Sequence, residues 1–248
     1  MIEMSPAGQA YLLAFADDEH MIGSRHANWI GLGPFLEEDL AFCSIAQDEL
    51  GHALALYEMF IPSNEIDRFA LLREPTEYRS AALAEIECPT WDLALVRHWL
   101  YDTAEQLRWQ ALSQSVVPEV GALATQALRD EAFHTEHAAM FLTRISGDDK
   151  ATVRVEAAIE RLLPLSASVW AAPDHENDAV GQGFVSHHSS ELLDRWRQSI
   201  AEQADRFGLH ADFAAVSQPT SRQQRIDGFD TFHSSLGEVI SLDPTAIW

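Results

Sequence analysis

The chain has 248 residues, 39 acidic against 16 basic side chains, and a formal charge of −23. That length can bury a substantial core, so one domain over 1–248 is expected, with a bundle core at 5–146 and a helical extension at 150–248. The acidity, with no cluster of Lys and Arg, excludes a nucleic-acid or anionic-membrane binder, and most of it is expected to form a solvated surface.

Leu, Ala and Glu abound and alternating β-branched runs are missing, which predicts an all-α fold. A first helix starts at Ser5-Pro6, a capping residue followed by proline at the first helical position, and runs to about residue 28. Leu12, Phe15, Glu19, Ile22 and His26 form its inward stripe, and Gly31 to Gly33 turn the chain. Pro34 opens a second helix that stops before Pro62. Residues 63–88 read as a mixed connection with a short helix at 77–87. Pro89-Thr90-Trp91-Asp92 opens a third long helix, ending near 117, with Leu95, Trp99, Asp102, Glu105 and Trp109 on its buried side. Pro118 starts a fourth, which stops at Ser146-Gly147. Further helices are predicted at 150–170, 189–207 and 229–240, with 171–183 as a loop.

The second and fourth helices carry Gln47-Asp48-Glu49-Leu50-Gly51-His52 and Arg129-Asp130-Glu131-Ala132-Phe133-His134. Residues three apart share a helix face, so each Glu points the same way as its His. Phe42, Ile45, Glu49, His52, Leu56 and Met59 lie on one core-facing stripe, as do Leu128, Glu131, His134, Ala138, Phe141 and Ile145. A carboxylate and an imidazole therefore stand where apolar side chains belong. Burying them unpaired is expensive, so a counter-charge is required. A metal supplies it most simply; a metal-free Glu–His hydrogen-bond network is the alternative.

A carboxylate-bridged pair of metals in a four-helix bundle takes one acid from each of two helices and Glu-x-x-His from each of the others. The first helix offers Glu19, with Asp18 as the fallback. The third offers Asp102, or Glu105 one turn later, and Glu105 otherwise becomes a polar neighbour of the ligands. Oxygen-rich ligands with one imidazole per metal suit iron or manganese, and the lack of cysteine ligands disfavours structural zinc. Asp48 and Asp130, each preceding a ligand Glu, are candidates to take the outer N–H of the ligating imidazoles across helices. His20, His26, His98 and His137 are expected as core or surface residues, and Tyr57, Trp99 and Tyr101 as core packing. Glu37-Glu38-Asp39 complement the positive end of the second helix.

Cys43 and Cys88 lack CxxC spacing, so no disulfide framework or thiolate site is expected, which suits a reducing cytosol. Residues 1–10 carry no signal-peptide pattern and no apolar run spans a bilayer, so a cytoplasmic protein is expected. No nucleotide-binding glycine motif is present, so electrons for any O₂ chemistry come from a reductase partner or from the substrate.

These residues resemble the ferritin-like subunits of bacterial phenylacetyl-CoA epoxidase, a multicomponent di-iron monooxygenase. Glu19 with Asn28-Trp29-Ile30, Gln47-Asp48-Glu49-x-Gly51-His52, Asp102 and Glu131-Ala132-Phe133-His134 match its catalytic A-type subunit. Length, helix order and Trp248 look more like its C-type subunit, typical examples of which have lost ligands and act as structural partners. The resemblance implies a ferritin-like four-helix bundle with additional C-terminal helices, and two iron ions (or manganese) held by Glu19, Glu49, His52, Asp102, Glu131 and His134. It implies O₂ and a small organic substrate, a CoA thioester among the options, for epoxidation, hydroxylation or N-oxygenation. A homodimer or hetero-oligomer with a related subunit is expected. A non-catalytic structural subunit and a ferroxidase are the alternatives.

Overall fold

Ser5 accepts a hydrogen bond from the Gly8 amide and Pro6 follows it, so α1 (Pro6–Ala27) begins where a capped, proline-led helix should. The computed structural model describes residues 2–216 and 221–243, and Trp248 lies outside the described residues. After α1 come α2 (Leu36–Glu58), α3 (Ile66–Leu71), α4 (Ala82–Glu85), α5 (Trp91–Leu112) and α6 (Pro118–Ile145). They are followed by α7 (Asp149–Ser166), α8 (Glu176–Gly181), α9 (Ser189–Phe207) and α10 (Phe229–Leu236). No strand occurs among the described residues.

The four long helices α1, α2, α5 and α6 form the bundle, paired α1 with α2 and α5 with α6. Tyr57 near the end of α2 meets Asp17 of α1, while Glu49 lies beside Gly23, so the first pair runs antiparallel. Gly23 is what lets this pair close. A Cβ there would stand 2.9 Å from the Glu49 Cβ and 3.1 Å from the Leu50 amide nitrogen. α7 and α9 pack on the outer side of α5, which is buried along most of its length. Trp99, Trp170 and Trp196 fill that layer, and Trp196 donates to the Leu100 carbonyl at 3.2 Å.

Several boundaries differ from the sequence expectation. α2 starts at Leu36 rather than Pro34 because Asp39 accepts from the Gly31 and Gly33 amides and holds 31–35 as a tight loop. α5 stops at Leu112, short of 117, where the Val116 amide turns away to the Gly183 carbonyl. The 77–87 segment is helical only over Ala82–Glu85, after a 3-10 turn at Pro75–Glu77. Residues 171–183 contain α8, whose Glu176 accepts the Ser189 amide at 2.9 Å and so ties it to the start of α9. The last predicted helix ends at Leu236, and the chain resumes as a 3-10 turn at Ile240–Leu242.

Three consecutive acids, Asp17, Asp18 and Glu19, are fully buried on α1. Asp17 is met by Arg73, by the Tyr57 hydroxyl at 2.6 Å and by the Arg79 amide at 2.6 Å. Asp18 is met by Arg108 at 2.8 Å, by Arg222 at 2.9 Å and by the Ala81 amide at 2.6 Å. Arg222 also donates to the carbonyls of Val169, Ala171 and Arg79, and so pins the C-terminal segment against α1. Arg222→Met leaves Asp18 with Arg108 but strips the donor from three carbonyls, and is expected to lower the unfolding free energy by about 1–3 kcal/mol, read as a fall in the urea midpoint with the slope unchanged. A midpoint within experimental scatter of the parent would contradict it.

Candidate metal centre

Glu19 of α1, Glu49 and His52 of α2, Glu105 of α5, and Glu131 and His134 of α6 turn into one space between the four long helices. Both Glu-x-x-His pairs reach it because their residues lie one turn apart on core-facing stripes, as the 3.6-residue period requires. Donor atoms of Glu19, Glu49, His52 and Glu105 lie within 4.8 Å of one another, and so do those of Glu49, Glu131 and His134. Glu49 belongs to both groups. Glu131 also reaches both imidazoles, at 3.8 Å from His52 Nδ1 and 3.4 Å from His134 Nδ1. Glu19 and Glu105 approach His52 alone, at 3.4 and 3.8 Å. The arrangement is two ends with a shared middle.

Asp48 and Asp130 stand against the two imidazoles. Asp130 Oδ2 stands 3.3 Å from His52 Nε2 and Asp48 Oδ2 stands 3.4 Å from His134 Nε2, so each braces the imidazole of the opposite helix. An N–H given to these carboxylates at Nε2 leaves the Nδ1 lone pair facing the acids.

Asp102 behaves differently from the expectation that made it a ligand and Glu105 its neighbour. Glu105 stands in the donor group, whereas Asp102 lies in neither. Asp102 Oδ2 sits 2.6 Å from His98 Nδ1, an approach too bent for a hydrogen bond. His98 then pairs with His137 at 3.2 Å, and His137 with Glu38 at 2.9 Å. Glu38, read from the sequence as a solvated helix-end charge, is thus buried and bonded. The alternative Asp18 is occupied by arginines and unavailable.

The space between the helices holds eight buried atoms with no hydrogen-bond partner. They are Glu19 Oε2, both oxygens of Glu49 and of Glu131, Glu105 Oε2, and the Nδ1 of His52 and of His134. What contacts these residues do make hold them from behind. Tyr101 donates to Glu19 Oε1 at 2.8 Å and Trp109 Nε1 to Glu105 Oε1 at 2.7 Å. Orphaned polar atoms are rare in cores and usually mark an ion or water that belongs there. Oxygens and imidazoles in this ratio are the donor set of a hard or borderline divalent cation, so the residues present can hold metal.

Sequence reasoning missed the arginine clamps on Asp17 and Asp18 and the polar run from Asp102 to Glu38. The run of three acids within an otherwise apolar stretch of α1 was a visible signal for the first. Nothing local signalled the second, since His98, His137 and Glu38 meet only through the fold.

The family profile described as "Phenylacetic acid catabolic protein" matches residues 3–248. The chain belongs to that family. It is 24% identical over 195 residues to the C subunit of the 1,2-phenylacetyl-CoA epoxidase of Escherichia coli (strain K12), covering 77% of this chain and 78% of the relative. The helical bundle seen here is the ferritin-like fold expected of the family.

Burial, then the charge of Glu105, pushes Glu49 up to about 7 and raises Glu19 and Glu131 well above the usual carboxylate range. Burial works against ionising Glu105 too, but His52 and the carboxyls of Glu19 and Glu131 outweigh it and hold Glu105 at about 2. Burial also opposes charging the imidazoles, yet the surrounding acids raise His52 and bring His134 to about 12. Without a cation the centre therefore retains protons at neutral pH. A carboxyl raised by folding holds a proton the unfolded chain has shed. Its contribution to stability is whole below about pH 4.5 and is lost as the pH rises through its folded value. Between about pH 7.5 and 8.5 the buried His20, His26, His98 and His137, all lowered mainly by burial, are neutral when folded and mostly neutral when unfolded, and add little slope. The melting temperature of chelator-treated protein should accordingly fall across that window, and saturating divalent metal should abolish the fall. A flat or rising profile in the chelated protein would refute the proton-loaded centre.

Proposed function

We propose that this chain is the metal-bearing subunit of a non-haem di-iron monooxygenase that oxygenates an organic substrate, in the manner of phenylacetyl-CoA epoxidase. The observation that carries this reading is the convergence of eight unpartnered donor atoms from four helices on one closed space. In it, Glu19, Glu49, His52, Glu105, Glu131 and His134 would hold two cations, with Asp102, buried and within the electrostatic reach of His134, as a further acid. The iron pair, when bound, supplies the reduction of O₂ and delivery of one oxygen atom to the substrate.

The protein's own contribution is positional and protective. Asp48 and Asp130 fix which imidazole nitrogen faces the centre. Tyr101 and Trp109 hold the outer oxygens of Glu19 and Glu105, leaving their partners free to ligate. Phe15, Phe42, Ile45 and Trp109, all fully buried, keep bulk water from the space. His98, His137 and Glu38 form a hydrogen-bonded run from α5 through α6 to the first turn of α2. Monooxygenation consumes two electrons beyond those of the substrate, and a separate reductase is their source, as a CoA thioester is the favoured substrate class and a related subunit the favoured partner.

A second reading rests on the relative itself. The Escherichia coli protein is one lettered subunit of an epoxidase, and a chain similar to it can serve as the structural partner of a separate catalytic protein. The two readings part on metal. Anaerobic loading with Fe(II) followed by elemental analysis should give about two iron per chain. Glu49→Gln and Glu131→Gln should each remove most of it, and Glu105→Gln as much as Glu19→Gln. Asp130→Asn should weaken affinity about 10–100-fold without emptying the centre. Wild-type protein that stays iron-free after loading would decide for the structural role.

A further inference from the structure

The outer side of α2 is less polar than a side facing solvent should be. Leu36, Leu40, Leu50 and Leu54 are 70%, 63%, 37% and 47% exposed. On the neighbouring α6, Phe133 and Met140 are 47% and 48% exposed. With Cys43 and Gln47, also exposed, the α2 leucines form one outward stripe in which each member lies three or four residues from the next. That alternation is the seam of a helix that packs on another helix. In a chain with 39 acidic residues, none of them stands on the stripe. Apolar side chains gathered into an exposed patch mark a surface that is covered by something.

The order of residues along the stripe points to the occupant. Leu36 and Leu54 lie nine residues either side of Ile45, Leu40 and Leu50 five, and Cys43 and Gln47 two. Turned end for end about that point, the stripe sets leucine against leucine at both ends and Cys43 against Gln47 in the middle. α6 gives nearly the same centre independently. Asp48 meets His134 and Asp130 meets His52, so α6 runs antiparallel to α2. The His137 ring lies 6.0 Å from that of Phe42, which puts His137 within a turn of the level of Ile45. Phe133 and Met140 stand four and three residues either side of His137, so the same rotation brings Phe133 of one copy near Met140 of the other. A two-fold axis demands a surface that complements itself in this way. The 23 residues of α2 are about 34 Å long, and with α6 at its side the face offers roughly 700 Å². A stable pair of proteins covers about 800 Å² on each partner.

We propose that the outer face of α2 and α6 binds a second copy of this chain about a two-fold axis near Ile45, with the two α2 helices antiparallel. Asp48 and Asp130, 35% and 41% exposed, lie along this side, so the second copy also screens from solvent the carboxylates behind the two imidazoles. The pairing is tested on metal-free protein, and its failure leaves the metal reading intact. The experiment is sedimentation velocity of the full chain from about 0.1 to 100 µM, where the parent should be dimeric at the upper end. Leu40→Glu sets a charge against Leu50 of the second copy and should weaken the dimer at least about tenfold. Because Leu40 is already exposed, the melting curve of that variant should match the parent's. Val153→Glu, the same kind of change at an exposed apolar residue of α7, should leave the dimer as it was. Mild oxidation of Gln47→Cys should trap a covalent dimer through Cys43 of the second copy, which the parent oxidised alongside does not give. A monomer at every concentration overturns the proposal, as does a dimer that Leu40→Glu leaves intact or that Gln47→Cys fails to trap. A chain that stays monomeric and takes up a different subunit on this face overturns the second copy as its occupant.

Discussion

The bundle is organised around a repulsion it cannot relieve from within. Glu19, Glu49, Glu105 and Glu131 face one another in a space closed to water, where a negative charge is far more costly than at the surface. Without a cation, protons on the carboxyls and on His52 and His134 reduce the charge, but they leave the donor atoms without hydrogen-bond partners. The surrounding structure is built to tolerate this. α1 and α2 close tightly over Gly23, α5 is packed on its outer side by α7 and α9, and the acids are held from behind by Tyr101 and Trp109. Rigid packing of this kind preserves the arrangement of these acids and imidazoles.

Much of this was legible in the chain because its signals were periodic. Ser5-Pro6, Pro118 and the acids set within core stripes fixed helix starts and two ligand pairs, since a 3.6-residue repeat leaves little freedom about which face a residue occupies. The choice between Asp102 and Glu105 was beyond reach of that logic. They lie one turn apart on the same face of α5, and which of them meets Glu19 depends on how far α5 slides along α1. Composition misled at 171–183, where Asp, Gly and Pro signal a loop, but Glu176 bonds to Ser189 and stabilises one helical stretch, α8. Arg73 and Arg222 come from segments with no repeat at all, so the run of acids on α1 signals a need for counter-charge but not which residues supply it.

The contrast along α1 separates two solutions to the same problem. Asp17 and Asp18 are as deeply buried as Glu19, yet each has a guanidinium and a backbone amide against it. Glu19 has a tyrosine hydroxyl and a free oxygen. The first two acids are structural because their counter-charges are built into the chain, and they lock the C-terminal segment to the bundle through Arg222. Among the described residues the third has no arginine against it, only the His52 imidazole at 3.4 Å.

The same distinction bears on whether the centre is a relic. A bundle with no counter-charge for these acids would be expected to re-pair them, and among the described residues Arg97 is buried and joins no ion pair. Asp102 is the one centre-adjacent acid whose charge acts on Arg97, yet the two form no ion pair. Arg97 instead directs its one used nitrogen to the Ile86 carbonyl, away from the acids. Keeping unmatched positive and negative groups apart inside one core forfeits a favourable interaction at both places. That separation leaves the acids between the four helices without an arginine against them.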